Sequence, residues 1–178
     1  FTGFTKDKPV IMIIGGSLGA AAVNDAVRAV LPELLKTFQV IHLCGKGKLD
    51  ESLKNTKGYV QYEYIKKELA DLFALADVVI SRAGANAICE LSALKKPNLL
   101  IPLSARASRG DQILNARSFE RMGYSVVLEE EEITNEKLLE TIHSLYKNRA
   151  SYADAMSKSK LTDSIEEIVR LFEQAVNK

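Results

Sequence analysis

Six short strand-like segments, one of them an unbroken apolar run and the third (Tyr59 to Ile65) alternating in character, most followed by glycine or small residues and then by helical periodicity, constrain this chain more than any other feature. Pro9 to Ile14 (PVIMII) contains no polar side chain. A strand with one wet face would alternate, whereas an unbroken run belongs to a strand covered on both faces, as in a parallel sheet. Gly15, Gly16 and Gly19 break the run, and Ala20 to Phe38 reads as a helix with Ala22, Ala26, Ala29 and Val30 at helical spacing. Gln39 to Cys44 is a second strand, after which Gly45 and Gly47 turn the chain into a short polar helix near Leu49 to Leu53. Tyr59 to Ile65 is a third strand and Glu68 to Ala76 a helix. Asp77 to Ser81 leads through VVI as the fourth strand, and Ala85 to Leu94 is a helix. Asn98 to Ile101 is a fifth strand stopped by Pro102, Asp111 to Met122 a helix closed by Gly123, and Ser125 to Leu128 the sixth strand.

Beyond Glu129 only helices are expected: Asn135 to Lys147, a piece around Tyr152 to Lys158, and Ser164 to Val176. Asp163 and Glu166 have capping-box spacing for the last, whose Ile165, Ile168, Val169 and Phe172 form one stripe. The expected fold is therefore α/β: a Rossmann-like, six-stranded parallel sheet with helices on both faces. The default strand order is 3-2-1-4-5-6 with right-handed crossovers. No repeat or linker-like tract interrupts it, so residues 1–178 are expected to form a single domain.

Composition removes several function classes. Lys and Arg number 24 against 23 Asp and Glu, a net charge of +1, so a chain-wide electrostatic grip on nucleic acid is not expected. Cys44 and Cys89 are too few for a disulfide framework or a four-cysteine metal site, and each is expected to be a small buried hydrophobe in a reduced, cytoplasmic setting. No stretch approaches the roughly 18 apolar residues of a membrane span, and no secretory signal is evident. The chain opens at Phe1 rather than Met, which points to a processed chain or an excised domain.

In an open parallel sheet ligands bind beyond the carboxyl ends of the strands, where the strand order reverses. Here that point falls between strands one and four. The loops after those strands are Gly15-Gly16-Ser17-Leu18-Gly19-Ala20 and Ser81-Arg82-Ala83-Gly84-Ala85-Asn86. Glycine lets the backbone approach a ligand, and the free N–H groups of the following helix attract anions. A phosphate or diphosphate is the expected guest, and a ligand-free tight turn is the alternative. The spacing is neither the dinucleotide fingerprint nor a P-loop. Arg82 is suited to phosphate. Glu90 is suited to the two hydroxyls of a ribose, or else is a solvated surface acid. Gln112 and Asn115 share a helix face and are suited to sugar hydroxyls, because an amide both donates and accepts; capping and surface polarity are the alternative.

The combination GGSLGA, SRAGANAICE, KKPNLLIPL and DQILNA resembles the carboxyl-terminal half of the peptidoglycan N-acetylglucosaminyltransferases, and the resemblance runs from about Lys8 onward. It implies one half of a two-domain GT-B enzyme. The carboxyl-terminal domain binds UDP-N-acetylglucosamine (UDP-GlcNAc), and an amino-terminal domain, absent from this chain, binds lipid I at the cytoplasmic face of the membrane. The reaction inverts the anomeric centre and makes lipid II. By the same resemblance Gly16, Ser17 and Gly19 face the diphosphate. Ile65 presents its backbone to the uracil, with Tyr64 beside the ring, and Arg82 lies near the phosphates and the base. Gly84 belongs to the same loop, the Ala85 backbone meets a sugar hydroxyl, and Glu90 holds the ribose. Asp111, Gln112 and Asn115 read the 3- and 4-hydroxyls of GlcNAc.

No D-x-D pair occurs, so no metal cofactor is expected, and the Glu129 to Glu132 run reads as a solvated turn. His42 and His143 are expected to be structural, which leaves no catalytic base in this chain; the resemblance puts it in the other domain. Other lipid-linked glycosyltransferases (a diacylglycerol glucosyltransferase, a dolichol-linked GlcNAc transferase), a UDP-GlcNAc 2-epimerase and a non-catalytic nucleotide-binding module remain as rivals.

Overall fold

The fold is taken from a computed structural model that describes residues 2–15, 20–105 and 110–159. Six strands form one parallel sheet in the order β3-β2-β1-β4-β5-β6. They are β1 (Val10–Ile14), β2 (Gln39–Leu43), β3 (Tyr59–Tyr62), β4 (Val78–Ser81), β5 (Asn98–Leu100) and β6 (Ser125–Val127). The helices are α1 (Ala21–Thr37), α2 (Leu69–Leu75), α3 (Ala85–Ala93), α4 (Asp111–Arg121), α5 (Asn135–Lys147) and α6 (Arg149–Ser157). The reversal of strand order falls between β1 and β4, where Ile11 pairs with Val78 and Ile14 with Ser81.

The unbroken apolar runs are explained by two cores. Ile11 and Ile13 of β1 face α1 and α5, joining Val27, Leu31, Leu34, Leu138 and Ile142. Val10 and Met12, the alternate residues, face the other side and join Leu72, Phe73, Ile88, Leu91 and Phe119 of α2, α3 and α4. Each fully buried side chain of this size contributes about 1.5–3 kcal/mol, so both residue sets of β1 have to be apolar.

Several expectations change in detail. Strand β3 stops at Tyr62, so Tyr64 and Ile65 belong to the loop that follows. Helix α6 begins at Arg149, three residues before Tyr152, the first large apolar residue in it. Cys44 is buried as expected, but Cys89 is exposed. The inward residues of α3 are Ile88, Leu91 and Ser92, and Cys89 lies a helical step of about 100° away from Ile88. The expected helix over Ser164 to Val176, with Asp163 and Glu166, lies outside the described residues.

Helix α4 starts at Gly110, which has φ +84°. That left-handed conformation costs a side chain about 1 kcal/mol or more, and glycine avoids it.

Candidate functional site

A cleft of about 520 Å³ opens at the carboxyl ends of the strands, at the β1/β4 reversal. Its walls are Ile14 and Gly15 from the end of β1, Ser81 to Gly84 without the buried Ala83, Ala85 to Ala87 of α3, Glu90 and Gln112. Of the residues read as site residues from sequence, the structure brings together Arg82, Gly84, Ala85, Glu90 and Gln112 on this one cleft. Gly16, Ser17 and Gly19, like Arg106 and Arg109 in the loop after β5, lie outside the described residues.

The start of α3 forms the floor. Its N-cap is Gly84, and among the described residues no side chain bonds the first N–H groups of the helix. The same is true of α1, whose N-cap is Ala20. Helix α5, by contrast, is capped by Thr134, whose hydroxyl accepts from the Lys137 N–H at 3.2 Å. Uncapped N–H groups carry the positive end of the helix dipole and suit an anion. Gly84 has φ −67° and ψ 145°, a conformation open to any residue, and a Cβ built there would meet nothing within 4 Å. The space above Gly84 is therefore open to a ligand.

Arg82 is less available to a ligand than its sequence position suggests. Its Nη1 donates to the carbonyls of Ile101 at 3.1 Å and Pro102 at 3.0 Å, and its Nη2 pairs with the Glu130 carboxylate. The two side chains are 11% and 22% exposed. The guanidinium thus ties the loop after β4 to those after β5 and β6. Glu130 is a residue that sequence reasoning missed. The Glu129 to Glu132 run is not the fully solvated turn expected: it is a short 3₁₀ turn over Glu130–Glu132, with Glu130 turned inward to Arg82. Glu129 pairs with Arg117 at 2.5 Å and Glu132 with Lys137 at 2.7 Å on the outside.

Gln112 and Asn115 do share a face of α4, and each also ties down a loop. Gln112 Oε1 accepts from the Leu103 N–H at 3.0 Å, and Asn115 Nδ2 donates to the Ala83 carbonyl at 3.1 Å. What remains without a partner among the described residues is one donor group, Gln112 Nε2, and one acceptor, Asn115 Oδ1. Asp111 is exposed in the first turn of α4 and does not line the cleft. Tyr64 and Ile65 lie past the end of β3, at the sheet edge two strands from β1, and also do not line the cleft. The Tyr64 ring is 60% exposed with Lys66 Nζ 5.6 Å from its centre, and Ile65 packs on the second core.

His42 and His143 stand apart from the cleft. His143 is exposed on α5, its ring 5.2 Å from that of Phe38. His42 is buried in β2, and desolvation, aided by the nearby Arg28 charge, lowers its pKa to about 3. Among the described residues no three His, Cys, Asp or Glu side chains group so as to hold a metal ion, and no helix is long and apolar enough to cross a membrane.

A parallel sheet with a cleft at its strand reversal, floored by an uncapped helix start, defines a Rossmann-like domain of the kind that makes up GT-B glycosyltransferases. The chain belongs to the glycosyltransferase family 28 C-terminal domain family, which matches residues 10–170. It is 64% identical over 168 residues, 94% of its length, to a UDP-N-acetylglucosamine--N-acetylmuramyl-(pentapeptide) pyrophosphoryl-undecaprenol N-acetylglucosamine transferase of Lachnospira eligens, covering 48% of that protein. The protein of the same name from Lachnoclostridium phytofermentans is 62% identical over 98% of this chain and 49% of its own. The chain thus spans about half the length of these curated relatives. Two solved structures share the fold. They are the MurG of Acinetobacter baumannii (TM-score 0.77, 23% identity, 97% of this chain and 52% of that one) and a spinosyn rhamnosyltransferase complexed with thymidine diphosphate (TM-score 0.67, 20% identity, 97% and 47%).

Proposed function

We propose that this chain is the donor-binding domain of an inverting glycosyltransferase that moves GlcNAc from UDP-GlcNAc to lipid I, giving lipid II in peptidoglycan synthesis. The observation that carries the reading is the 64% identity, over 94% of the chain, to a transferase named for that donor and that acceptor. The cleft is compatible with it. The open space over Gly84, and the starts of α1 and α3 on either side of the β1/β4 reversal, neither closed by a cap side chain among the described residues, suit the anionic diphosphate of the donor. The exposed Glu90 carboxylate at the same cleft suits the ribose hydroxyls. Gln112 Nε2 and Asn115 Oδ1 offer one donor and one acceptor to the sugar. Tyr64 and Ile65, two strand spacings or about 10 Å from β1, suit the base of an extended nucleotide.

In such a transfer the sugar–phosphate bond breaks as negative charge grows on the departing UDP. Helix N–H groups fixed in the cleft stabilise that charge, and no metal cofactor is invoked. The acceptor hydroxyl must also be held in line and deprotonated. That base and the lipid I pocket are assigned to an acceptor domain, working at the cytoplasmic membrane face. Calorimetry tests the donor reading: UDP and UDP-GlcNAc bind, whereas ATP, GDP and NADH bind far more weakly. A preference for NADH overturns it. In a radiolabel assay with a lipid I analogue, the 178-residue chain alone transfers no GlcNAc, and adding the acceptor half restores transfer.

A further inference from the structure

We propose that His42 is a positioning residue for the first turn of α1, which it locks through Asn24 against the end of β2. The hydrogen bonds define both the connection and its direction. Asn24 Nδ2 donates to the Cys44 carbonyl at 2.9 Å, so the amide oxygen is the atom that faces His42 Nε2, also at 2.9 Å. An amide oxygen only accepts, so Nε2 carries the proton. Nδ1 is then bare and accepts from the Tyr59 hydroxyl at 3.0 Å. The result is one directed chain from β3 through β2 to α1 and back to the residue after β2, every member of it buried. A neutral ring is required for this pattern, and burial beside Arg28 keeps it neutral down to a pH of about 3.

The Asn24 backbone N–H, in turn, donates to the Ala20 carbonyl at 2.8 Å and closes the first turn of α1. The N–H groups of residues 21–23 in that turn have no partner within the helix, and among the described residues no side chain caps them. Their aim is set by what holds that turn: Val23 packs into the core, and Asn24 is held by the Cys44 carbonyl and, among the described side chains, by His42. A buried polar chain that satisfies all its members fixes one arrangement rather than several. The consequence for ligand binding rests on the proposed function, in which an anionic diphosphate meets the start of α1.

Two substitutions separate the arms of the chain. In His42→Gln the longer amide places a donor near the position of Nε2; in His42→Asn the shorter one reaches only toward Tyr59. UDP affinity is expected to stay near the unaltered value in His42→Gln and to fall about tenfold in His42→Asn. Hydrogen exchange at the Asn24 amide is expected to speed up in His42→Asn while the amides of Val30 to Leu34 keep their protection. Equal losses in the two variants, or loss of protection along the whole of α1, overturn the positioning role. Should a variant fail to fold, ¹⁵N NMR of the unaltered chain decides: a neutral ring protonated on Nε2 at pH 5 is expected, and protonation on Nδ1 overturns the proposal. If the unaltered chain binds no UDP, the donor reading fails, and the exchange and tautomer measurements still decide the role of His42.

Discussion

At the amino ends of the strands, Gln39 spends its side-chain amide on three backbone groups: it accepts from the Thr5 N–H at 2.8 Å and donates to the Thr5 and Lys8 carbonyls at 2.9 Å. Asp77 accepts from the Val10 N–H at 2.8 Å, and Lys8 Nζ donates to the Leu35 carbonyl at 2.7 Å. At the carboxyl ends Ala20 and Gly84 stand at the starts of α1 and α3, and among the described residues no side chain closes either helix. One end of the sheet satisfies its polar groups from within the chain, and the other leaves helix N–H groups for a guest. Stability and ligand affinity should therefore respond to changes at different ends. Arg82 is the exception, a carboxyl-end residue engaged in holding loops.

That exception gives the largest expected effect. Arg82→Met leaves Glu130 inward and without its cation, together with two carbonyls, and should cost about 3 kcal/mol of stability by urea denaturation. Adding Glu130→Met should recover most of it, and a double variant no better than the single one would show that the pair is not coupled. Next is Glu90→Ala, which removes hydrogen bonds to a charged acceptor. UDP affinity should drop by about 1.5–3 kcal/mol, roughly ten- to a hundred-fold, with the ligand-free melting temperature unchanged. Equal binding of UDP and 2′-deoxy-UDP by the unaltered chain would dissociate Glu90 from the ribose.

Gln39→Ala should do the reverse: about 1–3 kcal/mol less stability and the same UDP affinity by calorimetry. A change in affinity there would erase the distinction between the ends. The smallest effect belongs to Gly84→Ala. Its backbone angles suit alanine, so the ligand-free protein should gain about 0.4–1 kcal/mol. UDP affinity should fall by about 1 kcal/mol as the new methyl enters the cleft. Unchanged affinity would move the ligand away from α3.

The fold was legible because a parallel sheet writes itself into sequence. A strand covered on both faces is mostly apolar, as Val10–Ile14 is throughout, and the few polar residues that such strands admit here, His42 and Asn98 among them, are buried with hydrogen-bond partners; the glycines mark the turns. The reversal point then located the cleft and with it Arg82, Gly84, Glu90 and Gln112. What stayed hidden are contacts between residues far apart in the chain. Glu130 sits in a run of acids whose local pattern is that of a solvated turn, and only the tertiary approach of Arg82 turns one of the four inward. Cys89 has apolar neighbours in sequence, yet the geometry of α3 directs it outward. The Tyr59–His42–Asn24 chain joins three elements, and nothing in the spacing of those residues marks them as partners. Helix α6 begins three residues before Tyr152, because Arg149, Ala150 and Ser151 show no large apolar residue that would mark its first turn in sequence.

The central position of β1 also has a consequence during synthesis. A chain that leaves the ribosome in order presents Val10–Ile14 first and can pair it with β2, and β2 with β3, soon afterwards. The other edge of β1 waits for Val78–Ser81. At roughly 5–20 residues per second, the interval from Leu43 to Ser81 lasts several seconds. For that time a fully apolar strand has one free edge, open to any other strand in reach. A nascent half-sheet of this kind is a natural client for chaperones that shield unpaired strands at the tunnel exit, and codon choice between β3 and β4 would set how long it needs them.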